Sequence, residues 1–122
     1  MYENLNNFTK GQDPKAAMQI GRRTEIIKWF NDLCDLEIAP SNYKIDDNLN
    51  ITVEENLNLS YTNITELPDN LTVEGDLDIG HTNIIELPNH LIVYDDLYMY
   101  DAKITELPKD LTVKGKIVGF KK

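Results

Sequence analysis

Aliphatic residues recur every 20 positions through the second half of the chain. From Leu57 to Lys116 the sequence reads LNLSYTNITELPDNLTVEGD, LDIGHTNIIELPNHLIVYDD and LYMYDAKITELPKDLTVKGK, and IVGF at Ile117 opens a further copy. The unit is L-x-L-x-x-T-x-I-x-x-L-P-x-x-L-x-V-x-G-x. Leu57, Leu59, Ile64, Leu67, Leu71 and Val73 hold its apolar positions in the first copy. Leu77, Ile79, Ile84, Leu87, Leu91 and Val93 hold them in the second, and Leu97, Met99, Ile104, Leu107, Leu111 and Val113 in the third. The L-x-L pair alternates, which predicts a short strand with both apolar side chains inward. The L-x-V pair alternates likewise and reads as a second extended segment. No run of helical length fits between them.

Turn residues punctuate the unit. Pro68, Pro88 and Pro108 each follow a leucine. Proline fixes φ and lacks an N–H, so it suits a bend and holds the preceding leucine extended. Gly75 and Gly115 stand at the corner before the next strand, where a positive φ is expected. Asp95 takes that place in the second copy, and aspartate tolerates the conformation better than most residues. One unit has no partner for its apolar side chains. Each coil must therefore stack on the next, about 4.8 Å away along the strand ladder. The product is a solenoid with one continuous core.

The unit resembles a leucine-rich repeat of the shortest, 20-residue kind. The residues that carry the likeness are the L-x-L strand, Thr62 and Thr82 at the family's asparagine position, Ile64, Ile84 and Ile104, and then Leu-Pro. It is most similar to the short repeats of bacterial and bacteriophage proteins, over about half of the chain. It departs from the family in having threonine, then Ala102, in place of asparagine. The implied fold is mostly β with one capping helix (α+β), a leucine-rich-repeat-like solenoid of about three and a half 20-residue coils. The alternative is a β-solenoid with two or three strands per coil.

Ahead of the repeats the pattern changes. Residues 1–12 are polar and are expected to be loosely held. Asp13-Pro14 reads as a helix cap followed by proline at the first helical position. The short helical turn it starts is expected to break at Gly21, with Thr24 as a second cap. Ile26, Ile27, Phe30, Leu33 and Cys34 then recur at helical spacing beside Trp29. They predict an amphipathic helix from about Arg22 to Cys34 with Cys34 on its buried face. Solenoid ends expose core residues and need a cover, so this helix is the N-terminal cap. In the stretch that follows, Ile51 and Val53 match Leu71 and Val73, but Asp47 sits where Leu67 would be matched. Tyr43 and Ile45 predict a first strand. The resulting division is a capping segment over 1–36, a degenerate lead-in coil over 37–56 and the solenoid over 57–122, all one folded unit. The whole combination resembles small bacteriophage proteins with leucine-rich repeats.

Charge narrows the function classes. The 122 residues carry a net charge of −9, which disfavours direct binding to nucleic acid or an anionic membrane and suits a basic partner. The single cysteine excludes an intrachain disulfide and fits a reducing compartment. No apolar run reaches membrane-spanning length, and MYENLNNFTKGQDPK lacks the apolar centre of a signal peptide. The expected location is the cytoplasm, which is the host cytoplasm if the phage resemblance holds.

The first two copies hold eight acids and neither Lys nor Arg, whereas copy 97–116 holds three acids and four lysines. Side chains between the buried leucines point outward. In order they are Asn56, Asn58, Ser60; Asp76, Asp78, Gly80; Asp96, Tyr98, Tyr100; Lys116, Val118, Phe120. Asp76, Asp78, Asp96, Tyr98, Tyr100 and Phe120 are the candidate partner-binding residues, because aromatics beside charges are an interface signature. The plainer reading is a solvated face whose tyrosines support the sheet. Glu66, Glu86 and Glu106 follow from the repeat alone. Asp76, Asp78, Asp95 and Asp96 read as a screened acidic patch before they read as a calcium site. His81 and His90 lack a third ligand at zinc spacing. No nucleophile–base pair or phosphate loop is present, so no enzyme, metal or cofactor is expected. The leading expectation is a non-catalytic module that binds another protein, a host protein such as a defence-system component under the phage resemblance. The alternatives are an acidic mimic of nucleic acid that blocks a DNA- or RNA-binding protein, and a structural protein that self-associates. For the last coil two roles stand side by side: its lysines stop end-to-end stacking, or its edge forms a homodimer.

Overall fold

Each aliphatic pair of the repeat lies beside its counterpart 20 residues on. The computed structural model describes residues 14–121, with side chains from residue 20 onward. The L-x-V segments β2 (Ile51–Val53), β4 (Leu71–Val73), β6 (Ile92–Val93) and β8 (Thr112–Val113) form a parallel ladder. A first strand, β1 (Tyr43–Ile45), joins that sheet antiparallel to β2. The L-x-L segments β3 (Leu57–Asn58), β5 (Leu77–Asp78), β7 (Leu97–Tyr98) and β9 (Ile117–Val118) form a second parallel sheet. Leu57, Leu77, Leu97 and Ile117 are consecutive partners in it. Among the described residues the fold is thus mostly β with one helix, a β-solenoid of about three turns with two strands per coil. Parallel strands need a long crossover. Here the second strand of the same coil supplies it.

Between the two sheets the repeat's aliphatic side chains close on one another. Leu57, Leu59, Leu71, Val73, Leu77, Ile79, Ile84, Leu91, Val93 and Leu97 are buried. The lead-in coil enters the same core through Leu49, Ile51 and Val53. Ile51 pairs with Leu71 and Val53 with Val73, as their sequence match predicts.

The corners are built differently from expectation. Gly75, Gly115 and Asp95 do not have positive φ. At the two glycines the requirement is space. A Cβ on Gly75 would lie 2.0 Å from Asn56 Oδ1, and one on Gly115 2.3 Å from Asp96 Oδ1. Left-handed backbone falls instead at Tyr61, His81 and Asp101, in the turn after L-x-L, and at Asn70 and His90, just before L-x-V.

The helix, α1 (Pro14–Asp35), also corrects the sequence reading. It runs through Gly21 without a break. Glycine at an exposed helical position costs about 1 kcal/mol relative to alanine. Each large apolar side chain that docks contributes about 1.5–3 kcal/mol, and Ile26, Trp29, Phe30 and Leu33 are all buried. Docking wins. Thr24 is inside the helix, where its hydroxyl donates to the Ile20 carbonyl at 3.0 Å, and so caps nothing. Cys34 is exposed, and so is Ile27 seven residues before it. The buried stripe is centred on Trp29 and Leu33, which turns that flank to solvent. The proposed cap Asp13 and residues 1–12 lie outside the described residues.

Trp29 fixes the helix to the first coil. Its Nε1 donates to the Glu66 carbonyl at 2.9 Å, and its ring meets Phe30 edge-on at 5.0 Å. Phe30 in turn stacks on Tyr43 of β1 at 4.1 Å. Among the described residues no helix is long and apolar enough to cross a membrane.

Candidate interaction surface

The outward side of the four-stranded sheet begins with a ladder of side chains. Asn56 Oδ1 accepts from the Asp76 N–H at 2.7 Å, Asp76 Oδ1 from the Asp96 N–H at 2.9 Å, and Asp96 Oδ1 from the Lys116 N–H at 2.8 Å. Each links one coil to the next at the corner where strand pairing starts. A corner amide has no strand partner of its own, so the side-chain oxygen satisfies it. Asp76 and Asp96, both candidate binding residues, therefore spend one carboxylate oxygen each on the fold.

The next position along the strand carries Asn58, Asp78, Tyr98 and Val118 in successive coils. Asn58 Oδ1 accepts from the Ser60 amide at 3.0 Å, and Asp78 Oδ1 from the Gly80 amide at 2.9 Å. These bonds close the turn at the strand's end. The Tyr98 hydroxyl donates to Asp96 Oδ2 at 3.2 Å. That bond, and then the charge of Asp96, holds the Tyr98 hydroxyl above the usual phenol range. Asp96 thus bonds the next coil through one oxygen and orients Tyr98 through the other.

Tyr98 is half-buried on β7, and Tyr100, 54% exposed, lies in the turn two residues on. Gly80 lies directly beneath Tyr100: a Cβ there would sit 3.0 Å from the Tyr100 carbonyl. Phe120 does not complete the row. Gly119 takes φ 86°, the chain turns, and Phe120 is half-buried against the core. Strand alternation through Phe120, as the sequence pattern predicts, would run two residues past the end of β9.

Other exposed groups escaped the sequence reading. Tyr61, 77% exposed, stacks face to face on His81 at 4.2 Å, and His81 Nδ1 lies 3.3 Å from Asp101 Oδ2. The three share one unit position and one left-handed conformation, forming a column along the turn. His90 pairs with Asp110 in the same way, at 3.2 Å. Both histidines thus have a carboxylate partner one coil on, which sequence spacing of 20 would have paired. Ile85 is 65% exposed at the position of Thr65 and Thr105, a signal visible on aligning the copies. Thr62 and Thr82, at one position of the repeat, bond locally: Thr62 donates to the Leu59 carbonyl at 2.7 Å and Thr82 to the Ile79 carbonyl at 2.8 Å.

Among the described residues no three His, Cys, Asp or Glu side chains gather as a metal site would require. A groove between α1 and the Glu66–Asp69 turn is lined by Arg22, Glu25, Lys28 and Asp32, charges of both signs around an apolar floor. No protein-family model, curated protein or solved structure matches the chain, so its chemistry is read from its geometry.

Proposed function

We propose that the chain is a non-catalytic protein-binding module that uses the outward side of its four-stranded sheet. The observation that supports this most is the exposed Tyr100 beside Tyr98, on a sheet held by side-chain as well as backbone bonds. A rigid face loses little conformational entropy on binding, and tyrosine gives large contact area with few torsions to freeze. The Asp78 and Asp96 carboxylates border the pair and favour a partner with basic groups at the rim. In the finer form of this proposal the coils are short leucine-rich repeats of a phage-encoded protein. It then acts in the host cytoplasm on a host protein, such as a component of a defence system. That form rests on the resemblance of the repeat unit alone.

Capture from a bacterial lysate by wild type and by the Tyr98→Ala/Tyr100→Ala variant tests the face. Recovery of the true partner is expected to fall about tenfold or more, the size of a central aromatic contact. Equal recovery of every captured protein by both forms would remove this face from consideration. Circular dichroism of the variant checks that the sheet survives.

A further inference from the structure

One position of the unit keeps the same backbone in three coils and changes its chemistry in each. Tyr61, His81 and Asp101 take left-handed φ of 61°, 55° and 53°. Histidine and aspartate are at home in that conformation, whereas a bulky ring is an outlier. Leu49 is a second outlier, at φ 65°, but it is 2% exposed, so burial in the core offsets its strain. Tyr61 has no such compensation, since it is 77% exposed. Asn70 shows the residue this chain places where a left-handed turn asks only for tolerance. A strained backbone that carries an exposed ring points to a use outside the fold.

The ring is nevertheless held in one pose. It stacks on His81 with 4.2 Å between centroids and 11° between planes. His81 is held in turn by Asp101, with Nδ1 3.3 Å from Asp101 Oδ2, and any charge on the imidazole is balanced there. The Tyr61 N–H donates to the Gly80 carbonyl at 3.1 Å, and the His81 N–H to the Tyr100 carbonyl at 2.8 Å. Each turn is thus tied to the next coil through backbone and side chain. One face of the phenol ring is covered by the imidazole. At 77% exposure, the surface left to solvent includes the opposite face.

Charge around the ring selects what fits that face. The two coils that carry Tyr61 and His81, residues 57–96, hold eight acids and neither Lys nor Arg. Asp78 Oδ1 accepts from the amide of Gly80, the residue whose carbonyl holds Tyr61, so a carboxylate stands at the same turn. Lys103, two residues beyond Asp101, is engaged with Asn83 Oδ1 at 2.9 Å. The face of an aromatic ring attracts a cation through its quadrupole, and nearby carboxylates add to that attraction. Guanidinium is planar, weakly hydrated and stacks on rings, whereas an ammonium group is a strongly hydrated point charge.

We propose that Tyr61, backed by His81 and Asp101, is a platform for an arginine side chain of the partner protein, whose guanidinium lies flat on the open face of the ring. The inference rests on the protein-binding reading. It adds a contact outside the sheet and the chemistry that the partner brings to it.

The probe is the synthetic peptide GSRGRSG, titrated into the full chain and followed by NMR of the aromatic ring resonances. Saturable shifts of the Tyr61 and His81 rings are expected. The lysine peptide GSKGKSG has equal charge and is expected to bind about threefold more weakly. The citrulline counterpart keeps the shape without the charge and is expected not to bind. Tyr61→Phe keeps the ring and should bind as wild type does. Tyr61→Asn should weaken binding about threefold or more. Its urea midpoint should be no lower than that of wild type, because asparagine suits the left-handed turn. A ring present only for the fold would not give that pairing of weaker binding with undiminished stability. Circular dichroism of both variants checks their fold. Equal binding of the lysine or citrulline peptide, shifts confined to Tyr98 and Tyr100, or wild-type binding by Tyr61→Asn would each overturn the proposal. So would a lower midpoint for Tyr61→Asn, since the stack would then serve the fold. Peptide failure with capture still dependent on Tyr98 and Tyr100 sinks the platform alone. Arginine binding at Tyr61 with capture unchanged in Tyr98→Ala/Tyr100→Ala removes only the sheet face.

Discussion

Truncation of Leu77 to alanine is expected to cost about 3–4 kcal/mol of folding stability, whereas Ile117→Ala costs about 1 kcal/mol or less. The two residues occupy the same position of the unit and the same column of the sheet. They differ in what lies beyond them. Leu77 is packed between the rungs of Leu57 and Leu97, and its loss leaves a cavity that two neighbouring coils must close. Among the described residues Ile117 has a rung on one side only, and it is 39% exposed. Its truncation loses part of a transfer free energy and creates no enclosed void. Urea unfolding followed by far-UV circular dichroism measures both, and the midpoint should move with little change in slope. Equal losses at the two positions would mean that burial does not set the cost of truncation in this column.

Trp29→Ala is expected to be about as damaging, at about 3–5 kcal/mol. The indole is 9% exposed, meets Phe30 edge-on, and donates to the Glu66 carbonyl. Its removal opens a void under α1 and leaves a carbonyl of the first coil without its donor. Trp29→Phe separates these effects. It keeps most of the apolar contact and loses the hydrogen bond, at an expected cost of about 1–2 kcal/mol. Trp29 is the only tryptophan, so wild-type fluorescence reports docking of the helix directly. Its unfolding transition should coincide with that of the sheet signal, because cap and coils share one core. A fluorescence transition well ahead of the circular dichroism transition would show the helix to be loosely attached.

The coil was legible because its aliphatic positions are identical in spacing through three copies, and a buried position tolerates little else. The pairing of Ile51 with Leu71 could be read the same way, even in a degenerate coil. Features set by polar groups were harder to see. Asn56, Asp76 and Asp96 look like solvated surface in the sequence, yet each joins two coils. Their role depends on an unpaired amide at the corner, which no residue pattern displays. The left-handed turn at Tyr61, His81 and Asp101 was hidden because glycine is absent from it. Gly21 misled in the opposite direction: its local cost is real but smaller than the docking energy of the helix around it. Of the candidate binding residues, Tyr98 is half-buried on β7 and Tyr100 is exposed in the turn after it. Asp76 and Asp96 are half-committed to the fold, and Phe120 turns toward the core behind Gly119.

Duplication of one coil tests the stacked 20-residue architecture most directly. A second copy of Leu77–Asp96 inserted after Asp96 preserves every rung, including the oxygen-to-amide ladder and the basic last coil. The lengthened chain should fold cooperatively, with a steeper urea dependence and a midpoint no lower than wild type, because each added coil brings its own interface. A half-coil duplication, Leu77–Glu86 alone, should abolish the native circular dichroism, since it sets the Leu91–Val93 strand against the turn at His81 and the repeated L-x-L against Leu67 and Pro68. A full-coil duplicate that unfolds as the half-coil one does would contradict the account.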